Sequence, residues 1–299
     1  MAERNSERPT ELGPSVASLL RESFYRLFAD EAIPLAGNIA FRTLFSIFPF
    51  LIFLTAVAGF FGNDYLAEDV VTYLLSVAPH QLVQALEPEI RSILTTPRTG
   101  LLSLSAVLTI WSAMGGVDSI RVGLNRAYDL RDTRKFWWLY LQNVLFIIGA
   151  TVFLLAFAVL IVLAPVVINA IDAKAPGFRQ NIATVEQLRY PIAIILLTLG
   201  LLLCHRVLPA KRLTVLEVLP GVVMTVITWV FLSSAFSIYL VNFNTFASTY
   251  ASLSGLFAAM FFVYLSALVL ILGGEMNRVL EVRRIMRMQR YAVKDDGEV

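Results

Sequence analysis

Seven polar residues stand out by where they fall. Arg42 sits inside a long apolar run, and Asp118, Arg121, Asn125, Glu275, Asn277 and Arg278 cluster where two other apolar runs end. An arginine at the centre of a membrane-crossing helix costs about 2.5–3.5 kcal/mol on insertion scales, so it calls for a partner, water or a route to the interface. Arg42 lies ten residues beyond Ala32, roughly 15 Å along a helix. A carboxylate would give it a two-pronged partner. Asp118 and Glu275 are the natural candidates, and the expected contact ties the first apolar run to the second or the last. Snorkelling without a partner and direct ligand contact are the other two readings.

The two runs end in similar fashion. One closes with Gly115–Gly116, Asp118 and Asn125–Arg126, the other with Gly273–Gly274, Glu275 and Asn277–Arg278. Paired glycines permit close helix contact or local unwinding beside a cavity. The unequal spacing leaves coincidence and an internal repeat both open. Taken together, the seven residues read as a polar or lipid-headgroup site near one face of a membrane.

Enzyme chemistry finds little to work with. His80 and His205 are the only histidines and fall in segments expected on opposite sides of the membrane. No phosphate loop, GxSxG elbow or HExxH is present, and no set of carboxylates converges as a two-metal site requires. The single cysteine, Cys204, excludes an internal disulfide and a multi-cysteine zinc site. No catalytic residue, metal or cofactor is expected.

The elements that position these residues follow from composition. Of 299 residues, 58% are hydrophobic and 15% charged, well below the quarter charged of ordinary soluble domains. The chain is therefore expected to be an all-α, polytopic membrane helix bundle of about six transmembrane helices. The apolar runs place spans within Ala32–Phe61, Leu101–Val117, Trp137–Ile171, Tyr190–Val207, Val218–Val241 and Leu253–Gly274. The first and third are overlong, and tilt or bends at Pro49 and Pro165 would accommodate them.

Three regions flank or interrupt this 31–280 membrane domain. Residues 1–30 form a cytoplasmic segment with an amphipathic helix, in which Val16, Leu19, Leu20, Phe24, Leu27 and Phe28 share helical spacing. That helix lies on the membrane surface or packs under the bundle. Its charge, and the lack of a short apolar core before a cleavage site, predict that the first span is retained as an anchor. Residues 63–99 read as an external amphipathic helical hairpin broken at Pro79, and 172–189 as a shorter external loop turning at Pro176–Gly177. Residues 281–299 form a basic cytoplasmic tail.

Orientation comes from the 24 lysines and arginines. Eighteen fall in the amino-terminal segment, the loop after the second span, the loop after the fourth and the carboxyl tail, and five on the opposite side. The positive-inside rule then puts both termini in the cytoplasm of a multi-pass inner (plasma) membrane protein. The basic stretch SIRVGLNRAYDLRDTRKFWW, read as a loop, is an inner-leaflet anchor or a surface for anionic headgroups. A net charge of +2 gives no case for nucleic-acid binding.

Several segments carry a family resemblance. AGNIAFRTLFSIFPFLIFLTA, LTIWSAMGGVDSIRVGLNRAYDLRDTRKF and HRVLPAKRLTVLEVLPGVVMTVITWVFLSSAFSIYL, continued by YASLSGLFAAMFFVYLSALVLILGGEMNRV, resemble the YihY/BrkB family of bacterial inner-membrane proteins. The likeness covers most of 36–279. Arg42 stands where that family often has an aromatic residue, so the resemblance implies no family-wide role for it. The resemblance implies six membrane helices and, by analogy with relatives tied to envelope integrity, assistance in the transport or partitioning of envelope lipids. Some members have been labelled ribonuclease BN, and the present residues supply no site for that activity. Expected partners are membrane lipids, either anionic phospholipid or lipopolysaccharide precursors. A structural scaffold for an envelope complex, acting through envelope protein partners or as a homo-oligomer, is the alternative.

Overall fold

The computed structural model describes residues 15–60, 99–158, 183–243 and 251–296. All the elements among them are helices: α1 (Val16–Ala29), α2 (Ala32–Phe60), α3 (Thr99–Ala127), α4 (Phe136–Ala158), α5 (Ala183–Val207), α6 (Val215–Phe243) and α7 (Ala251–Asp296). The expected external hairpin at 63–99, the turn at Pro176–Gly177, Pro165 and His80 lie outside the described residues.

Stretches in α2, α4, α5, α6 and α7 are long and apolar enough to cross a membrane. The remaining expected span lies in α3, whose 29 residues run about 43 Å. Its apolar run is diluted by Ser103, Ser105, Thr109 and Ser112. The polytopic helical architecture is thus the one expected, with one difference at a helix end. Residues 118–127 continue α3 instead of starting a loop, and 281–296, within the segment read as a basic tail, are helical in α7. The 46 residues of α7 span about 69 Å, more than twice a ~30 Å hydrocarbon core. Of the segment expected as the 172–189 loop, residues from Ala183 onward are already helical in α5.

Local chemistry sets the helix ends. Ser15 caps α1, its Oγ accepting from the Ala17 N–H at 3.3 Å. Glu31, at φ 58°, turns the chain sharply from α1 into α2. Asp129, at φ 55°, closes α3 with the Leu130 N–H on the Asn125 carbonyl and its own N–H on that of Arg126. An aspartate tolerates this left-handed conformation better than most residues do.

Packing is tightest at the end of the bundle where α3 and α5 finish and α6 begins. One apolar cluster joins Leu124, Leu201, Leu208, Val218, Val222 and Leu270 from α3, α5, α6, α7 and the turn after α5. A second joins Leu27, Ala32, Ala36, Ile39, Ala127, Ala267 and Ile271 from α1, α2, α3 and α7. The paired glycines of α7 serve close contact within an uninterrupted helix. A Cβ on Gly273 would run into Thr225 Oγ1 and the Gly221 carbonyl of α6, and one on Gly274 would sit 2.9 Å from Ala127 Cβ of α3. By contrast, only 6% of Phe136–Phe157 in α4 is buried, which leaves this helix an apolar surface suited to lipid.

Candidate functional site

At the tightly packed end the polar residues form a belt of four linked groups. The first surrounds Asp132 in the turn between α3 and α4. Arg134 grips both its carboxylate oxygens, Nε at 2.8 Å and Nη2 at 2.7 Å, and Arg121 adds a third contact through Nη1. Arg121 also holds Asp118 at 2.5 Å. Arg134 reaches on to the Leu208 carbonyl at 2.9 Å and to Gln142 at 2.8 Å. Asn125 donates to Asp132 at 3.2 Å and accepts from the Ala210 N–H at 2.7 Å. The hydrogen bonds from Arg134 hold the Asp132 carboxyl well below the usual carboxylate range, outweighing the opposing effect of its burial.

The second group is built on Asn277. Its amide nitrogen donates to the Val218 carbonyl and to Tyr128 Oη, both at 3.0 Å, while its oxygen accepts from the Gly221 N–H at 2.7 Å. Tyr128 Oη then lies 2.8 Å from Nδ1 of the fully buried His205. Since Tyr128 already accepts from Asn277, its hydroxyl proton is free to go to the histidine. The absence of a Cβ on Gly221 is what lets Asn277 approach, because a Cβ there would lie 2.6 Å from its amide nitrogen.

The third group fastens α1 to α7. Arg26 Nε donates to Glu275 Oε2 at 3.0 Å, and Arg283 holds Glu22 at 2.7 Å and Ser18 at 3.3 Å. Of the two placements expected for α1, packing against the bundle is the one found. Its other face, with Val16, Leu20, Phe24 and Phe28, is exposed. The fourth group places Arg278 against Glu281 at 3.0 Å and Asp129 at 3.5 Å, with Lys211 on the same Glu281 at 2.9 Å.

Six of the seven residues singled out in the sequence therefore come together at one end, but in separate groups that join helix ends. The four basic segments meet there too, linked by these same bonds. Sequence reasoning missed Arg26, Asp132, Arg134, Tyr128 and Gly221. The Asp-Thr-Arg spacing of 132–134 was a local signal for one pair, whereas the others depend on contacts across the fold. Among the described residues no three histidine, cysteine or acidic side chains are grouped to hold a metal ion.

Arg42 stands apart, and the expected ion pair is not the arrangement found. Glu275 is taken by Arg26 and Asp118 by Arg121. Arg42 instead donates from Nε to Asn38 Oδ1 at 3.1 Å, and from Nη1 to the Gly115 carbonyl at 3.5 Å. Both acceptors are neutral. The physical reason is competition: each of the two carboxylates is already held by another arginine, and Arg42 is turned to neutral acceptors on α2 and α3.

This geometry meets a clear relationship. The family described as Virulence factor BrkB matches residues 23–296. The chain belongs to the BrkB family. It is 30% identical over 268 residues to YfkH of Bacillus subtilis, a protein named as ribonuclease-like, covering 89% of this chain and 96% of that one. It is 23% identical to a UPF0761 membrane protein of Pseudoalteromonas atlantica, over 83% of this chain and 80% of the relative. A UPF0761 membrane protein of Tolumonas auensis is 24% identical, over 89% and 86%. No solved structure matches. The match of this BrkB-family chain takes in every described helix except the start of α1, so all of the belt but Ser18 and Glu22 lies within the shared region.

Proposed function

We propose that this BrkB-family protein is a non-catalytic, multi-pass protein of the bacterial inner membrane that assists the transport or partitioning of envelope lipids. In this reading the belt end, with both termini, faces the cytoplasm. The observation that carries it is a polar strip within the membrane-crossing part. Asn38, Arg42 and Ser46 recur every four residues on α2, and Arg42 reaches α3 at Gly115, flanked by Ser112 and Ser119. On the same α3 face Thr109 Oγ1 is buried without a hydrogen-bond partner. Polar groups in such a place favour a polar ligand that moves within lipid, and a headgroup on acyl chains is that ligand.

The belt gives this strip a fixed base. Asp118, Arg121, Asn125, Glu275, Asn277 and Arg278 border the headgroup site and hold the helix ends that frame it. Anionic phospholipid and lipopolysaccharide precursors suit the surplus of arginine. Purification into nanodiscs of native lipid, followed by identification of bound lipids, is the test. Enrichment of particular anionic lipids over the bulk membrane is expected; a bound composition identical to the bulk overturns the reading.

The second reading is a scaffold that supports an envelope complex or a homo-oligomer. The exposed apolar face of α1, beside the exposed Arg284, Arg287 and Arg290 of α7, favours it as a surface for a partner. Cross-linking from Phe24 that captures a second copy or one partner protein, with no lipid enrichment, would select this alternative.

A further inference from the structure

We infer that Arg42 is the phosphate-binding element of a lipid seat on the outer border of α2 and α3. The inference deepens the lipid reading above by naming the recognised chemistry. Arg42 is exposed, yet it sits in the apolar stretch Ala32–Phe50. Its guanidinium is always charged and offers five N–H donors. Two are used, on Asn38 Oδ1 and the Gly115 carbonyl, so among the described residues three remain free and no carboxylate stands against the positive charge. Where water is scarce, an anion with several acceptor oxygens is the partner that satisfies such a charge most fully. The anion a bilayer supplies in quantity is the lipid phosphate.

The surroundings have the polarity of such a ligand. The bond from Nε to Asn38, one turn earlier, directs the side chain toward the belt end of α2, where headgroups lie. From Ala32 to Asn38 is roughly 9 Å of helix, a depth that a phosphate drawn inward by local thinning can meet. One turn the other way, Phe45 is exposed on α2 and Trp111 on α3, apolar surfaces for acyl chains. The Phe41 and Phe45 rings stack at 6.0 Å beside the arginine. Gly115 completes the seat, since a Cβ there would lie 2.9 Å from Arg42 Nη1 and displace the guanidinium from α3.

Native mass spectrometry of the full chain in detergent tests this, with dioleoylphosphatidylglycerol as probe. Dioleoylglycerol, which has the same chains without phosphate, and inorganic phosphate serve as comparison arms. Arg42→Met should cut phosphatidylglycerol retention about tenfold or more, the scale expected for losing charge-assisted hydrogen bonds. Arg42→Lys should keep part of it, and Gly115→Ala should weaken it. Dioleoylglycerol retention should not change in any variant, and melting temperatures confirm that each is folded. Unchanged phosphatidylglycerol binding in Arg42→Met overturns the seat. So does equal loss of both lipids, and so does displacement of the lipid by millimolar inorganic phosphate. If native lipids remain enriched in Arg42→Met nanodiscs, the seat fails while the lipid reading stands; if wild type shows no enrichment, the reading itself fails.

Discussion

Arg26 Nε lies 3.0 Å from Glu275 Oε2, joining a helix at the start of the chain to one at its end. The carboxylate is fully buried, while the arginine keeps 27% of its side-chain surface. Among the described residues the second carboxylate oxygen, Oε1, has no hydrogen-bond partner, and Arg26 is the cation paired with this group. Removing one partner of such a pair costs about 3–5 kcal/mol where both are buried, and less here because Arg26 is partly hydrated. Arg26→Met is expected to lower the melting temperature more than the double variant with Glu275→Gln. Additive losses in the double-mutant cycle would show that the two groups are not coupled.

Asp132 predicts an acid dependence. Its carboxyl is held below the usual range by the hydrogen bonds from Arg134. A depressed folded-state value means that the stabilisation is complete above the unfolded value, about 3.9, and is lost as pH falls below it toward the folded value. Melting curves of wild type and Asp132→Asn should therefore differ by a constant amount from pH 7 to 5 and converge below pH 4. A gap that widens on acidification would contradict the assignment.

The glycines divide into two kinds. Gly273→Ala and Gly221→Ala each place a methyl against backbone of the neighbouring helix, and both should reduce folded yield through a cost of about 1–3 kcal/mol or more. Gly37→Ala meets nothing within 4 Å and should be neutral, or stabilising by up to about 1 kcal/mol from helix propensity. Thermal stability of the three variants in one detergent checks the order, and a Gly37 variant as damaged as Gly273→Ala would contradict the packing.

Topology reporters give the fourth check. Fusions near residues 132, 211 and 292 should read alike and cytoplasmic, and those after 80 and near 180 periplasmic. A cytoplasmic signal at 80 would reverse the orientation proposed from the basic residues.

Much of the fold was legible because a bilayer imposes a length. The apolar run read from Ala32 and the helix α2 begin at the same residue, and α2 continues to the end of the described stretch at Phe60. The end of α3 was misread for the converse reason: beyond the membrane a helix no longer needs apolar residues, so Asp118, Arg121 and Asn125 looked like loop. Their spacing of three and four was the available sign of a helical face. That six of the seven polar residues share one end of the bundle was legible, but their partners were not. Glu275 stood out as an acid beside paired glycines, yet Arg26 looked like the wet face of an amphipathic helix. Only the fold brings it within 3.0 Å. The reverse held for Arg42, whose nearest acid along the bundle already belongs to Arg121.

The apolar cluster made by Leu27, Ala32, Ala36 and Ile39 is completed by Ala267 and Ile271 of the last helix. During synthesis α2 therefore enters the membrane long before all of its core partners exist. Until α7 is inserted, Ala32, Ala36 and Ile39 have only α1 and α3 to pack against, and Arg26 has no Glu275 to meet. A ribosome stalled before residue 267 would leave a chain that is threaded but unclosed, and the last helix made is the one that locks the first.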